Sequence, residues 1–149
     1  MWRGHADNAS PEAWCDLRVS LDKALTIAGR HDVVLGVEPE TSNGVDSASK
    51  ARCLLDEIKS KRLMIVLDPA NLFHPGDLPR QREIIEDAFE LLGADLVLAH
   101  AKELGADGHP SSRAIGAGVL DWDFYLTLLH RARFQCSSQR LCCSPPLVF

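Results

Sequence analysis

Three residues of this chain can ligate a metal and recur at nearly even intervals: Glu38, Asp68 and His100. Each closes a short apolar run: Val33-Val34-Leu35-Gly36-Val37-Glu38, Leu63-Met64-Ile65-Val66-Leu67-Asp68 and Asp95-Leu96-Val97-Leu98-Ala99-His100. Such runs read as strands of a parallel sheet covered on both faces, and parallel strands bring their C-terminal ends to one rim. Two carboxylates and an imidazole gathered there are costly to bury without a partner. A divalent cation serves all three, and mixed oxygen and nitrogen ligation suits Mn, Mg, Zn, Co or Fe better than copper. Taken singly, Asp68 reads as the N-cap of the segment that follows it and His100 as a satisfied structural histidine. Their joint placement is what points to a metal.

Residues around these three extend the site. Asn71 and His74, in the loop after the second run, are placed to meet substrate oxygens, although His74 reads rather more readily as plain loop. Glu40 shares a face with Glu38 only if the strand continues, and Pro39 argues that it stops. Lys102 falls two residues beyond His100, where an ammonium can hold a substrate oxygen or phosphate, or close an ion pair at the strand end. Further along, His109 is a candidate substrate contact in a glycine-rich loop. The pair Gly116-Ala117-Gly118 follows the third run and does not open a first βα turn, so it does not read as a nucleotide cradle.

Helices must carry the chain from one strand to the next. Pro11 to Arg30 has apolar residues at three-and-four spacing, with Ser10 as N-cap and proline at the first helical position. Ser47 to Ile58 and Pro79 to Leu92 repeat the pattern, and a last helix runs from Asp121, its N-cap, to about Arg131. Strands alternating with helices imply an α/β fold with parallel strands. An open sheet and a piece of a (β/α)8 barrel both fit, but a complete barrel takes roughly 250 residues. This chain has 149.

Composition narrows the classes. The formal charge is −5, which gives the surface no reason to bind a polyanion, so nucleic acid is not an expected partner. No apolar run approaches the roughly 20 residues of a spanning helix, and the start lacks a leader's apolar stretch, so a cytoplasmic protein with no membrane association is expected. The five cysteines are odd in number and lack C-x-x-C spacing, which argues against a disulfide framework or zinc knuckle.

The segments Gly36-Val37-Glu38-Pro39-Glu40, Val66-Leu67-Asp68-Pro69-Ala70-Asn71, Leu98-Ala99-His100-Ala101-Lys102-Glu103 and Gly116-Ala117-Gly118-Val119-Leu120-Asp121-Trp122 together resemble the xylose-isomerase-like TIM-barrel superfamily. That superfamily includes sugar phosphate isomerases and epimerases and the endonuclease IV group. The resemblance implies a partial (β/α)8 TIM barrel over residues 1–131, truncated at both ends, with a divergent, disordered tail over 132–149. It implies one divalent metal on Glu38, Asp68 and His100 and a small sugar or sugar phosphate as substrate, which Asn71, Lys102 and His109 are placed to meet on the reading of the residues above. The chemistry implied is isomerisation or epimerisation next to a carbonyl, with Glu38 moving the proton and the metal stabilising the enediolate.

Two departures accompany it. The family's second metal-binding glutamate has no counterpart, because no glutamate occurs after Glu103. The first half of the family's barrel, which would precede the first motif, is also expected to be absent from this chain. Both count against activity of the chain by itself and favour pairing with a complementing chain or a second copy. Two other readings remain: an inactive fragment or α/β interaction module, and a metal-dependent phosphodiesterase like the endonuclease IV group, which draws on Asp107 and His109.

Overall fold

The computed structural model describes residues 4–74 and 76–132. Three parallel strands, β1 (Leu35–Val37), β2 (Leu63–Leu67) and β3 (Leu96–Ala99), form a sheet in that order. Helices α2 (Ala48–Ile58) and α3 (Gln81–Leu92) link successive strands, with α1 (Pro11–Arg30) before them and α4 (Trp122–Arg131) after them. Among the described residues the sheet does not close into a barrel, and the arrangement is that of a partial (β/α)8 unit. The tail expected over 132–149 lies outside the described residues from position 133 onward.

Local chemistry explains where the helices start and stop. Ser10 Oγ accepts from the Ala13 amide at 3.1 Å, with Pro11 in the first turn, and Ser47 and Asp121 cap α2 and α4 in the same manner. Helix α2 ends where Lys59 turns left-handed at φ 51°. The third helix begins two residues later than its apolar stripe suggests, because Leu78–Arg80, which contains Pro79, forms a separate 3₁₀ turn.

Among the described residues the sheet has one covered face. Leu63, Ile65 and Leu67 of β2 are each at most 2% exposed and pack against α2, α3 and α4, where each contributes roughly 1.5–3 kcal/mol. Met64 and Val66 between them are half-buried. They share the opposite face with Gly36 and Val97, and none of these four belongs to a core cluster. Burial of β1 on both faces, the expectation from its unbroken apolar run, is therefore corrected. Every helix residue in the two core clusters packs on the same side, and Val33 and Val34 lie exposed ahead of the strand. Gly36 leaves room on the open face, since a Cβ there would stand 2.6 Å from Val66 Cγ2 and that side chain would have to shift.

Beyond β3 the chain makes a small antiparallel hairpin, β4 (Glu103–Leu104) and β5 (Pro110–Ser111). The residues leading to α4 then fold back over β4, where the Val119 amide donates to the Leu104 carbonyl at 2.9 Å.

Candidate metal centre

Glu38, Asp68 and His100 are each the first residue past a strand. By alternation along the strands they project from the same face as Gly36 and Val66, away from the helices. The β2–β3 register pairs Leu67 with Ala99, so Asp68 and His100 stand side by side. Carried one residue further, the β1–β2 register sets Glu38 opposite Val66, one inward-facing position below Asp68. The longer glutamate side chain still reaches, and one ligand atom from each of the three lies within 4.8 Å of the others. Among the described residues this is the group of histidine, cysteine and acidic side chains able to hold a metal ion.

The two oxygens of Asp68 do different work. Oδ1 accepts from the Ala70 amide at 3.0 Å and caps the 3₁₀ turn Pro69–Leu72, so the capping role is real. Oδ2 faces the site. It is buried without a hydrogen bond, although the Lys102 ammonium lies 2.8 Å away, close enough to pair as a charge but out of line as a donor. His100 Nδ1 stands 3.8 Å from this oxygen and 3.5 Å from Glu38 Oε1. A fully buried carboxylate oxygen that accepts no hydrogen bond, beside a second carboxylate and an imidazole, fits a divalent cation with oxygen and nitrogen ligands.

Asn71 joins the acidic and basic halves. Its Nδ2 donates to Glu38 Oε1 at 2.7 Å, and its Oδ1 accepts from Lys102 Nζ at 3.2 Å. Burial alone would raise the Glu38 carboxyl, but His100, Lys102 and Asn71 outweigh it and hold the group below its ordinary value. The hydrogen bond to Glu38 raises His100 above the ordinary histidine value against its own partial burial.

Outside this cluster, Glu40 is tied to its own turn, accepting from Ser42 Oγ at 2.9 Å and Asn43 Nδ2 at 3.1 Å. His74 is exposed. His109 is exposed in the β4–β5 loop, where its amide donates to Asp107 Oδ1 at 3.1 Å, and the structure does not bring it into the metal-ligand group.

Two buried polar residues, one tied to the strand ends of the site and one to the loop beyond it, are not marked in the sequence. The Tyr125 hydroxyl, 1% exposed, donates to the His100 carbonyl at 3.2 Å and approaches the Leu67 carbonyl at 3.4 Å, tying α4 to the ends of β2 and β3. Burial, with the Asp68 carboxylate nearby, pushes its phenol well above the usual range. Its one sequence signal is that it is the chain's sole tyrosine, set in an apolar helical stripe.

Glu103, 1% exposed, accepts from the amides of Leu104, Gly116 and Leu120 at 2.9, 2.7 and 3.1 Å and from Trp122 Nε1 at 3.0 Å. The glycine pair thus cradles an anion, and that anion is the chain's own carboxylate. A Cβ at Gly118 would collide with the Leu104 carbonyl and the Glu103 side chain, so only glycine fits. The sequence signal was an acid opening the loop that this Gly-x-Gly closes.

Residues 1–139 match the xylose isomerase-like TIM barrel family. No curated protein sequence matches the chain. None of the helices among the described residues is long and apolar enough to cross a membrane.

Proposed function

Since the chain belongs to the xylose isomerase-like TIM barrel family, we propose that Glu38, Asp68 and His100 hold a divalent cation of the Mn, Mg, Zn or Co type for proton transfer next to a carbonyl. The substrate class is a small sugar or sugar phosphate, and the reaction an isomerisation or epimerisation. The observation that carries the reading is the approach of three ligand atoms to within 4.8 Å around a buried aspartate oxygen with no hydrogen bond.

When bound, the cation supplies positive charge to neighbouring substrate oxygens as negative charge develops on them. Glu38 is the catalytic residue, removing the proton from the carbon beside the carbonyl and returning it. Its carboxylate is ionised well below neutral pH, and the Asn71 amide fixes its orientation. Asn71 and Lys102, which touch Glu38 and Asp68, are assigned to substrate oxygens, as is His109 on its exposed loop. The phosphodiesterase reading gains no ligand, because the Asp107 carboxylate is engaged by the backbone of its own turn.

The test is calorimetric titration of the chain with MnCl2, beside Asp68→Asn and His100→Gln. Saturable binding by the parent and its loss in both variants supports the site. Equal weak binding by all three removes it. The reaction is read separately, as deuterium uptake from D2O at the carbon next to the carbonyl in a panel of free and phosphorylated ketoses. That uptake should need both the metal and Glu38 and vanish in Glu38→Gln.

A further inference from the structure

Among the described residues the Lys102 ammonium stands nearest the buried oxygen of Asp68, closer than His100, and its position conflicts with a metal at the same group. Oδ1 of that carboxylate is committed to the Ala70 amide, so Oδ2 is the oxygen left to face His100 and Glu38. Lys102 Nζ already stands 2.8 Å from Oδ2. Two cations at one oxygen repel, and the less firmly held one must move. The lysine is that one, because its side chain is 43% exposed while Asp68 is wholly buried, so the ammonium can turn to water and the carboxylate cannot.

We infer that Lys102 is an internal counter-cation for Asp68, displaced when a divalent ion binds at Glu38, Asp68 and His100, and that the displaced ammonium then meets an anionic oxygen of the substrate. This rests on the metal-binding reading above. Asn71 Oδ1, 3.2 Å from the ammonium, keeps a contact at the edge of the site for a lysine that has left Asp68. The two cations oppose each other reciprocally: whatever Lys102 takes from metal affinity, the metal takes from the Lys102–Asp68 pair. The lysine thus sets an upper limit on how tightly the metal is held, while keeping the buried carboxylate paired in its absence.

The test is calorimetric titration of the full chain with MnCl2, comparing the parent with Lys102→Met and Lys102→Arg. The expected result is about tenfold tighter binding by Lys102→Met and little change in Lys102→Arg, which keeps the charge. Damage to the fold weakens binding, so a gain in affinity cannot come from misfolding. Removing the lysine leaves a buried carboxylate unpaired and lowers the metal-free Tm. The Mn-induced rise in Tm is therefore measured as well, and is expected to be larger in Lys102→Met than in the parent. Lys102→Gln serves both measurements if the methionine variant does not fold.

Binding by Lys102→Met no tighter than by a parent that does bind overturns the inference and leaves the metal site standing. A gain that appears equally in Lys102→Arg also overturns it, since charge would not be the cause. Absence of binding in every variant and the parent removes the inference and the metal reading together.

Discussion

The Tyr125 hydroxyl lies 3.2 Å from the carbonyl oxygen of His100, so a helix on the covered side of the sheet holds the backbone of a residue whose side chain serves the open side. The same hydroxyl approaches the Leu67 carbonyl, one residue before Asp68. Two of the three proposed metal-binding positions are thus fixed by one side chain, which is wedged between Phe89 and Trp122 in edge-to-face contacts.

Tyr125→Phe keeps the ring and removes the tie. The expected loss is about 1 kcal/mol of stability with a several-fold weaker Mn affinity, read by urea denaturation and calorimetry. Unchanged metal affinity would show that the hydroxyl supports the fold and not the site.

Glu103 makes the structure sensitive to acid. Burial opposes its charge, but hydrogen bonds from Trp122 and from the Leu104, Leu120 and Gly116 amides win and bring its carboxyl from 4.5 to about 2. A group lowered on folding contributes its stability in full above the ordinary carboxylate value and loses it as pH falls through the folded one. Stability should therefore decline from about pH 4.5 towards about pH 2, and Glu103→Gln should flatten that decline. At neutral pH the same variant should lose roughly 3 kcal/mol, since one amide cannot accept all four donors as an anion does. Denaturation midpoints across this range, equal in slope for the two proteins, would contradict the assignment.

Gly118→Ala should be at least as damaging as Glu103→Gln. The added methyl has backbone on one side and the clamped carboxylate on the other, so relief requires the loop to lift. Overpacking of this kind typically costs about 1–3 kcal/mol. Hydrogen exchange should show lost protection at the amides of Gly116 and Leu120, which Glu103 holds, with the α2 amides unaffected.

Asp68→Ala and His100→Gln should separate fold from site. Both lose a proposed metal ligand. Only the aspartate variant also loses a cap, at about 1 kcal/mol, and leaves Lys102 without its pair. Thermal denaturation without metal should place His100→Gln close to the parent and Asp68→Ala clearly below it. Equal Tm values would mean that the Ala70 contact contributes little.

The helices were legible because their signals are local. Ser10, Ser47 and Asp121 mark the starts within a few residues of the atoms they cap, and apolar stripes mark the buried faces. Strand ends were legible for the same reason, and Pro39 correctly announced that Glu40 turns away into its own hydrogen bonds. Tyr125 and Glu103 were not, because they bind main-chain carbonyls and amides, which every residue carries and no sequence pattern records. The single-sided sheet was hidden too. An unbroken apolar run states that a strand tolerates burial on both faces, not which faces the described chain covers. Likewise, spacing set Glu38 level with its counterparts, whereas strand register places it one inward position lower and side-chain length makes up the difference.

The division of labour between the oxygens of Asp68 bears on how relatives should be compared. If the proposed metal chemistry holds, a descendant that abandoned it would still be selected to keep an aspartate there, because the turn beneath it would fray without one. Its persistence is therefore a poor witness to retained catalysis. Among the described residues the imidazole of His100 caps no turn and pairs with Glu38 and Asp68; under the metal reading it is free to drift once the ion is gone, and its presence or loss is the more telling character.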